Sequence, residues 1–75
     1  MKKDPSLRAF GERIRVARKS KGLSQEALAF AAGIDRSYMG GVERGERNLS
    51  FKKMCRLVEV LGCDLAALTQ GLPIK

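Results

Sequence analysis

Apolar residues recur along this chain at spacings of three and four rather than alternating, so the pattern predicts helices and no strand. Leu7, Phe10, Ile14 and Ala17 form the first stripe and place a helix from Pro5 or Ser6 to about Lys21, with Gly22 as its stop. Ala27, Leu28 and Ala31 form a second, opened by Ser24, whose side-chain oxygen can take the free N–H groups of a first turn, and closed by Gly33. Asp35 opens a third helix. There Met39 and Val42 point inward while Arg36, Ser37, Tyr38 and Gly41 share the other side, and Gly45 ends the element. Ser50 caps a fourth helix with Phe51, Met54, Leu57, Val58 and Leu61 as its core face and Gly62 as its stop. A last short helix opens at Asp64, carries Leu65, Ala66, Ala67 and Leu68, and gives way at Gly71 to the tail Leu72, Pro73, Ile74.

The expected fold class is therefore all-α, a compact five-helix unit. With no repeat or low-complexity linker, residues 1–75 read as one domain. Its segment from about 24 to 44 reads as two short helices joined by a tight turn, a helix-turn-helix, the shape that fits the DNA major groove. Gly33 is suited to that turn because only glycine enters the left-handed conformation without a Cβ penalty.

Composition narrows the function. A chain of 75 residues supports one modest core and too little interior for an elaborate enclosed active site. Fifteen Lys plus Arg against 8 Asp plus Glu give a formal charge of +7, which favours a polyanionic partner, nucleic acid first. No stretch approaches the roughly 20 apolar residues of a membrane span, and none resembles a signal-peptide core, so a cytoplasmic protein is expected. Cys55 and Cys63 are expected to be buried, reduced and structural. With no His, neither a zinc site nor a Cys-His nucleophile can be assembled, and no carboxylate pair stands in a catalytic arrangement. No enzyme activity, metal, cofactor or small-molecule effector is expected. Arg8, Arg13, Arg15, Lys19 and Lys21 on the first helix read mainly as a solvated face.

Leu-Ser-Gln at 23–25, Leu28-Ala29, Ala32-Gly33-Ile34, Ser37, Val42-Glu43-Arg44-Gly45 and Arg47-Asn48 together resemble the helix-turn-helix domain of the lambda repressor and Cro family, also called the Xre family. The helix order fits across nearly the whole chain. Within that family, Asp35-Arg36-Ser37-Tyr38 followed by Glu43-Arg44-Gly45-Glu46-Arg47-Asn48 is similar to the controller proteins of restriction-modification systems. Single-domain regulators of prophages and chromosomes share much of the same string.

The resemblance implies a set of site residues. It lays Ser24 and Gln25, at the N-terminus of the second helix, against a DNA phosphate, where free N–H groups and the helix dipole favour an anion. It turns Arg36 and Ser37 toward base edges, and an Arg can pair with guanine O6 and N7. The alternatives are a phosphate contact or a salt bridge to Asp35 or Glu26 for Arg36, and local backbone bonding for Ser37. Arg18 and Glu43 match a family ion pair joining the first helix to the end of the recognition helix; otherwise Glu43 answers Arg44 or Arg47 at the surface. Controller-like proteins also imply a base contact for Arg47.

Chemistry adds further candidates. Tyr38 is the sole tyrosine; its ring can pack on a thymine methyl or a sugar edge while its hydroxyl reaches phosphate, and core packing is the rival. Arg44, Arg47, Asn48, Lys52 and Lys53 follow the recognition helix and are placed to neutralise phosphates. Gly40-Gly41 departs from the family pattern, since each Gly inside a helix costs roughly 0.5 to 1 kcal/mol relative to Ala. Gly41 falls where relatives often present a long polar base reader, so either backbone comes close to the DNA or fewer side chains read it.

The function that follows is a sequence-specific transcriptional regulator that binds double-stranded DNA at a palindromic operator as a homodimer. Residues 64–75 are assigned to dimerisation, with Leu65, Leu68, Leu72 and Ile74 exceeding what one small core needs. The rival is a protein-interaction module, such as the antitoxin half of a toxin-antitoxin pair, in which those residues bind a different protein.

Overall fold

Four of the helices begin where a short polar side chain takes up free amides. The computed structural model describes residues 4–74, and its helices are α1 (Pro5–Ser20), α2 (Gln25–Ala32), α3 (Arg36–Glu43), α4 (Phe51–Leu61) and α5 (Leu65–Thr69). Asp4 accepts from the backbone N–H of Ser6 at 2.8 Å, with Pro5 behind it at a position that needs no N–H. Ser24 accepts from Ala27 N–H at 3.0 Å, Asp35 from Tyr38 N–H at 3.2 Å, and Ser50 from Lys53 N–H at 3.2 Å. Asp64 precedes α5 without such a bond. That helix is held instead from its other end, where the Arg13 guanidinium donates to the carbonyls of Leu68 and Gln70. Arg13 is thus a clamp between α1 and α5 rather than part of a solvated face.

All five helices contribute to one core, made of Phe10, Ile14, Leu28, Ala29, Ala32, Met39, Val42, Leu57, Leu61 and Leu68. Helices α1 and α3 pack on each other, α2 bridges α3 and α4, and α5 closes the bundle against α1 and α4. The α1–α3 crossing is unusually close because of Gly11. A Cβ there would overlap the carbonyl of Val42 and lie 2.7 Å from that of Glu43, so the α3 backbone passes directly over the α1 glycine.

Four expectations about burial need correction. On α2 the buried face is Leu28, Ala29 and Ala32, whereas Ala27 and Ala31 are exposed. Phe51 is not core: it stands 66% exposed in the first turn of α4, ahead of the buried Leu57 and Leu61. Leu68 is 3% exposed and completes the core of its own chain, so the C-terminal apolar set is smaller at the surface than its composition implied. Cys55 and Cys63 are free but half-buried rather than buried.

Candidate nucleic-acid interface

Gly33 makes the turn between α2 and α3, with φ of 68°, a left-handed conformation that costs a residue with a Cβ. Two cations from α4 secure the same corner. Lys53 Nζ donates to the Gly33 carbonyl at 2.6 Å and Arg56 Nη2 to that of Ala31 at 3.4 Å, satisfying carbonyls that α2 leaves free at its end. Lys53, read from sequence as a phosphate neutraliser, is therefore engaged with the protein.

The orientation of α3 is fixed from behind. Met39 and Val42 are fully buried, and Glu43 follows them inward to meet Arg18. Arg18 Nε donates to one Glu43 carboxylate oxygen at 2.7 Å and Nη2 to the other at 3.1 Å, a two-pronged pair that geometry alone makes specific. The third donor of Arg18 reaches the Leu23 carbonyl at 2.9 Å, and Gln25 Nε2 donates to Glu43 at 3.0 Å. One buried carboxylate thus joins α1, the entry to α2, and the end of α3. Gln25 is consequently half-buried with an amide N–H in use, and its carbonyl oxygen lies beside Gly40 of α3, 3.5 Å from where a Cβ there would stand.

Outward from this anchor lie the candidate contact residues. Ser24, Arg36, Ser37, Tyr38, Arg44, Arg47, Asn48 and Lys52 are all exposed. Among the described residues, Arg36, Ser37 and Lys52 have no side-chain hydrogen bond or ion pair, while Arg44 Nε is 3.1 Å from a Glu46 carboxylate oxygen. Tyr38 is a different case. Its hydroxyl donates to the Asn48 carbonyl at 2.6 Å, pinning the loop after α3, and the Arg47 guanidinium sits 5.6 Å from the centre of its ring. The hydroxyl expected to reach phosphate is thus occupied by the protein's own backbone, and Asn48 contributes its carbonyl there.

Gly41 is likewise not open to solvent. The chain leaves α3 through Gly45, with φ of 79° and the Glu46 N–H donating to the Gly41 carbonyl at 2.8 Å, and this reversal sends Arg47 back across the helix. Its side chain covers Gly41: a Cβ on that glycine would lie 2.7 Å from Arg47 Cγ. Sequence reasoning missed this stacking, as it missed the packing role of Gly11 and the capping roles of Arg13, Lys53 and Arg56. Only Gly11 carried a visible signal, a glycine placed inside a helix beside the Phe10, Ile14, Arg18 stripe.

The helix-turn-helix family HTH_3 matches residues 14–68 of the chain. Control protein C.SmaI of Serratia marcescens is 40% identical over 65 residues, which cover 84% of this chain and 77% of that protein. The restriction-modification controller protein C.AhdI of Aeromonas hydrophila superposes with a TM-score of 0.80 at 52% identity, over 83% of this chain and 94% of that one. The biofilm master regulator SinR, solved in complex with DNA, superposes with a TM-score of 0.75 at 35% identity, over 79% of this chain and 95% of its own. The order of helices, the buried Arg18–Glu43 anchor and these likenesses place the chain in the lambda repressor and Cro type of the helix-turn-helix family, to which it belongs.

Proposed function

We propose that this protein is a sequence-specific transcriptional regulator that inserts α3 into the major groove of double-stranded DNA and acts as a homodimer on a palindromic operator. Its similarity to C.SmaI and C.AhdI supports the genes of a restriction-modification system as its targets. The observation that carries the reading is the two-sidedness of α3: its inner face is locked by Met39, Val42 and the Arg18–Glu43 pair, while Arg36 and Ser37 stand exposed on the other. A rigid helix with free donors on its outer side is what base-edge readout requires. Arg36 and Arg47 read bases; the N-terminus of α2 at Ser24 and Gln25, together with Arg44, Asn48 and Lys52, contacts phosphates and sets the register.

On a palindromic site the homodimer holds its two α3 helices roughly 34 Å apart, one turn of DNA. The surface for that pairing comprises half-buried Leu65 and Leu72 with exposed Ile74.

Binding-site selection from random duplexes, followed by affinity measurements on variants, tests the reading. Arg36→Ala is expected to lose roughly 1 to 3 kcal/mol on the selected duplex and to relax preference at one base pair per half-site. Lys52→Ala is expected to weaken all duplexes by similar factors and to lower the salt slope by about one unit. Equal losses on every duplex for Arg36→Ala, or no enrichment of any duplex by the parent, would contradict it.

A further inference from the structure

Gly41 sits near the middle of the helix assigned to base reading, where a glycine weakens the element that most needs rigidity. Packing against another helix does not account for it, because the atoms nearest to a Cβ there all belong to Arg47: Cγ at 2.7 Å, Cβ at 3.7 Å and Cδ at 3.8 Å. The neighbouring glycine behaves differently. A Cβ on Gly40 would come no closer than 3.1 Å to Arg44 Nη1 and 3.5 Å to Gln25 Oε1, both at the far ends of flexible side chains.

The aliphatic part of Arg47 therefore occupies the volume that a residue 41 side chain would fill. Its guanidinium is carried onward to lie 5.6 Å from the centre of the Tyr38 ring, on a ring that the hydroxyl bond to Asn48 already holds in place. The approach is set by the reversal at Gly45, where a Cβ would lie 2.7 Å from both Cα and Cγ of Arg8, so the turn cannot readily relax toward another path.

We propose that Gly41 is a specificity-determining positioning residue: its missing side chain is the cradle that holds Arg47 flat on α3 and against Tyr38, pre-ordering that guanidinium toward the groove. The inference rests on the DNA-binding reading above. A guanidinium fixed before binding loses less freedom when it engages a guanine edge than one extended from a loose loop. Position 41 thus acts on sequence choice without touching a base.

The test is a double-mutant cycle read as discrimination, the ratio of affinities for the selected duplex and for the same duplex altered at one base pair. Gly41→Ala is expected to reduce discrimination by at least about tenfold at one pair per half-site, and Arg47→Ala to reduce it at the same pair. In the Arg47→Ala background Gly41→Ala is expected to have no further effect, since the obstructed stalk is gone. Gly40→Ala is expected to keep the ratio. Nuclear Overhauser contacts between the Arg47 side chain and the ring of the sole tyrosine should be present in the parent and absent in Gly41→Ala, without DNA in the sample.

Unchanged discrimination in Gly41→Ala, an equal loss with and without Arg47, or a melting temperature for Gly41→Ala well below that of the parent overturns the inference alone. A parent that enriches no duplex removes the DNA-binding reading and this inference with it.

Discussion

Arg18 and Glu43 are 8% and 6% exposed, so either one alone would be a charge left in the interior without its partner. Removing one member of such a pair costs about 3 to 5 kcal/mol, and Arg18→Ala is expected to lower the unfolding free energy by that order in urea titrations. Glu43→Gln should cost less, because the amide still accepts from Arg18, yet it presents an N–H group toward one of three donors that now converge on the carboxylate. If both variants unfold at the parent's urea midpoint, the anchor is not holding α3. At this scale the pair was legible through its family positions, and the exposure of Arg36, Ser37 and Lys52 through polarity and helix face. The partners of Gln25, Tyr38 and Arg47 were not: the first depends on how α2 packs on the end of α3, the other two on how the chain returns over itself after Gly45, and no local pattern encodes either.

Among the helices, boundaries were easier to read than faces. Ser24, Asp35 and Ser50 announce helix starts by chemistry that needs no tertiary contact, and all three accept the bond that chemistry requires. The face of α2 was harder, because alanines at 27, 29, 31 and 32 weigh the same in any periodic count and only the neighbours in space choose between them. Phe51 was misread for a related reason: large and apolar, it fits the stripe of α4 but lies one turn beyond where the core reaches. Two measurements follow. Leu28→Ala, at a position with no exposure, is expected to cost about 2 to 5 kcal/mol, against little for Ala27→Ser on the open face. For α1, hydrogen bonds from the Ser6 hydroxyl and backbone hold the Asp4 carboxyl below the usual carboxylate range. The capping contribution is therefore complete above the ordinary Asp pKa and is lost as pH falls through the lowered folded value. Asp4→Ala is expected to remove that acid-side dependence from the helicity of α1, and an unchanged acid titration in the variant would argue against the cap.

For the whole molecule, assembly is the property least visible in a single chain. The excess of C-terminal leucines pointed to a second subunit, but Leu68 turned out to serve the chain's own core and Leu72 packs partly against it, leaving half-buried Leu65 and Leu72 with exposed Ile74 as the remaining set. Changing Leu72 and Ile74 together to Ser is expected to weaken the dimer at least about tenfold in sedimentation equilibrium, because a symmetric interface loses each contact twice, while helicity persists. Operator affinity should fall with it, since two linked recognition helices bind far more tightly than one. An equally dimeric variant would move the interface elsewhere. The start of α5 has a bearing on this. With no side-chain cap at Asp64 and a length of five residues, the helix relies on the Arg13 clamp at its far end and on the burial of Leu68. Its amides should therefore be the first of the five helices to exchange with deuterium, and that exchange should slow as protein concentration rises. Copy number in the cell would then be sensed at the uncapped start of one short helix.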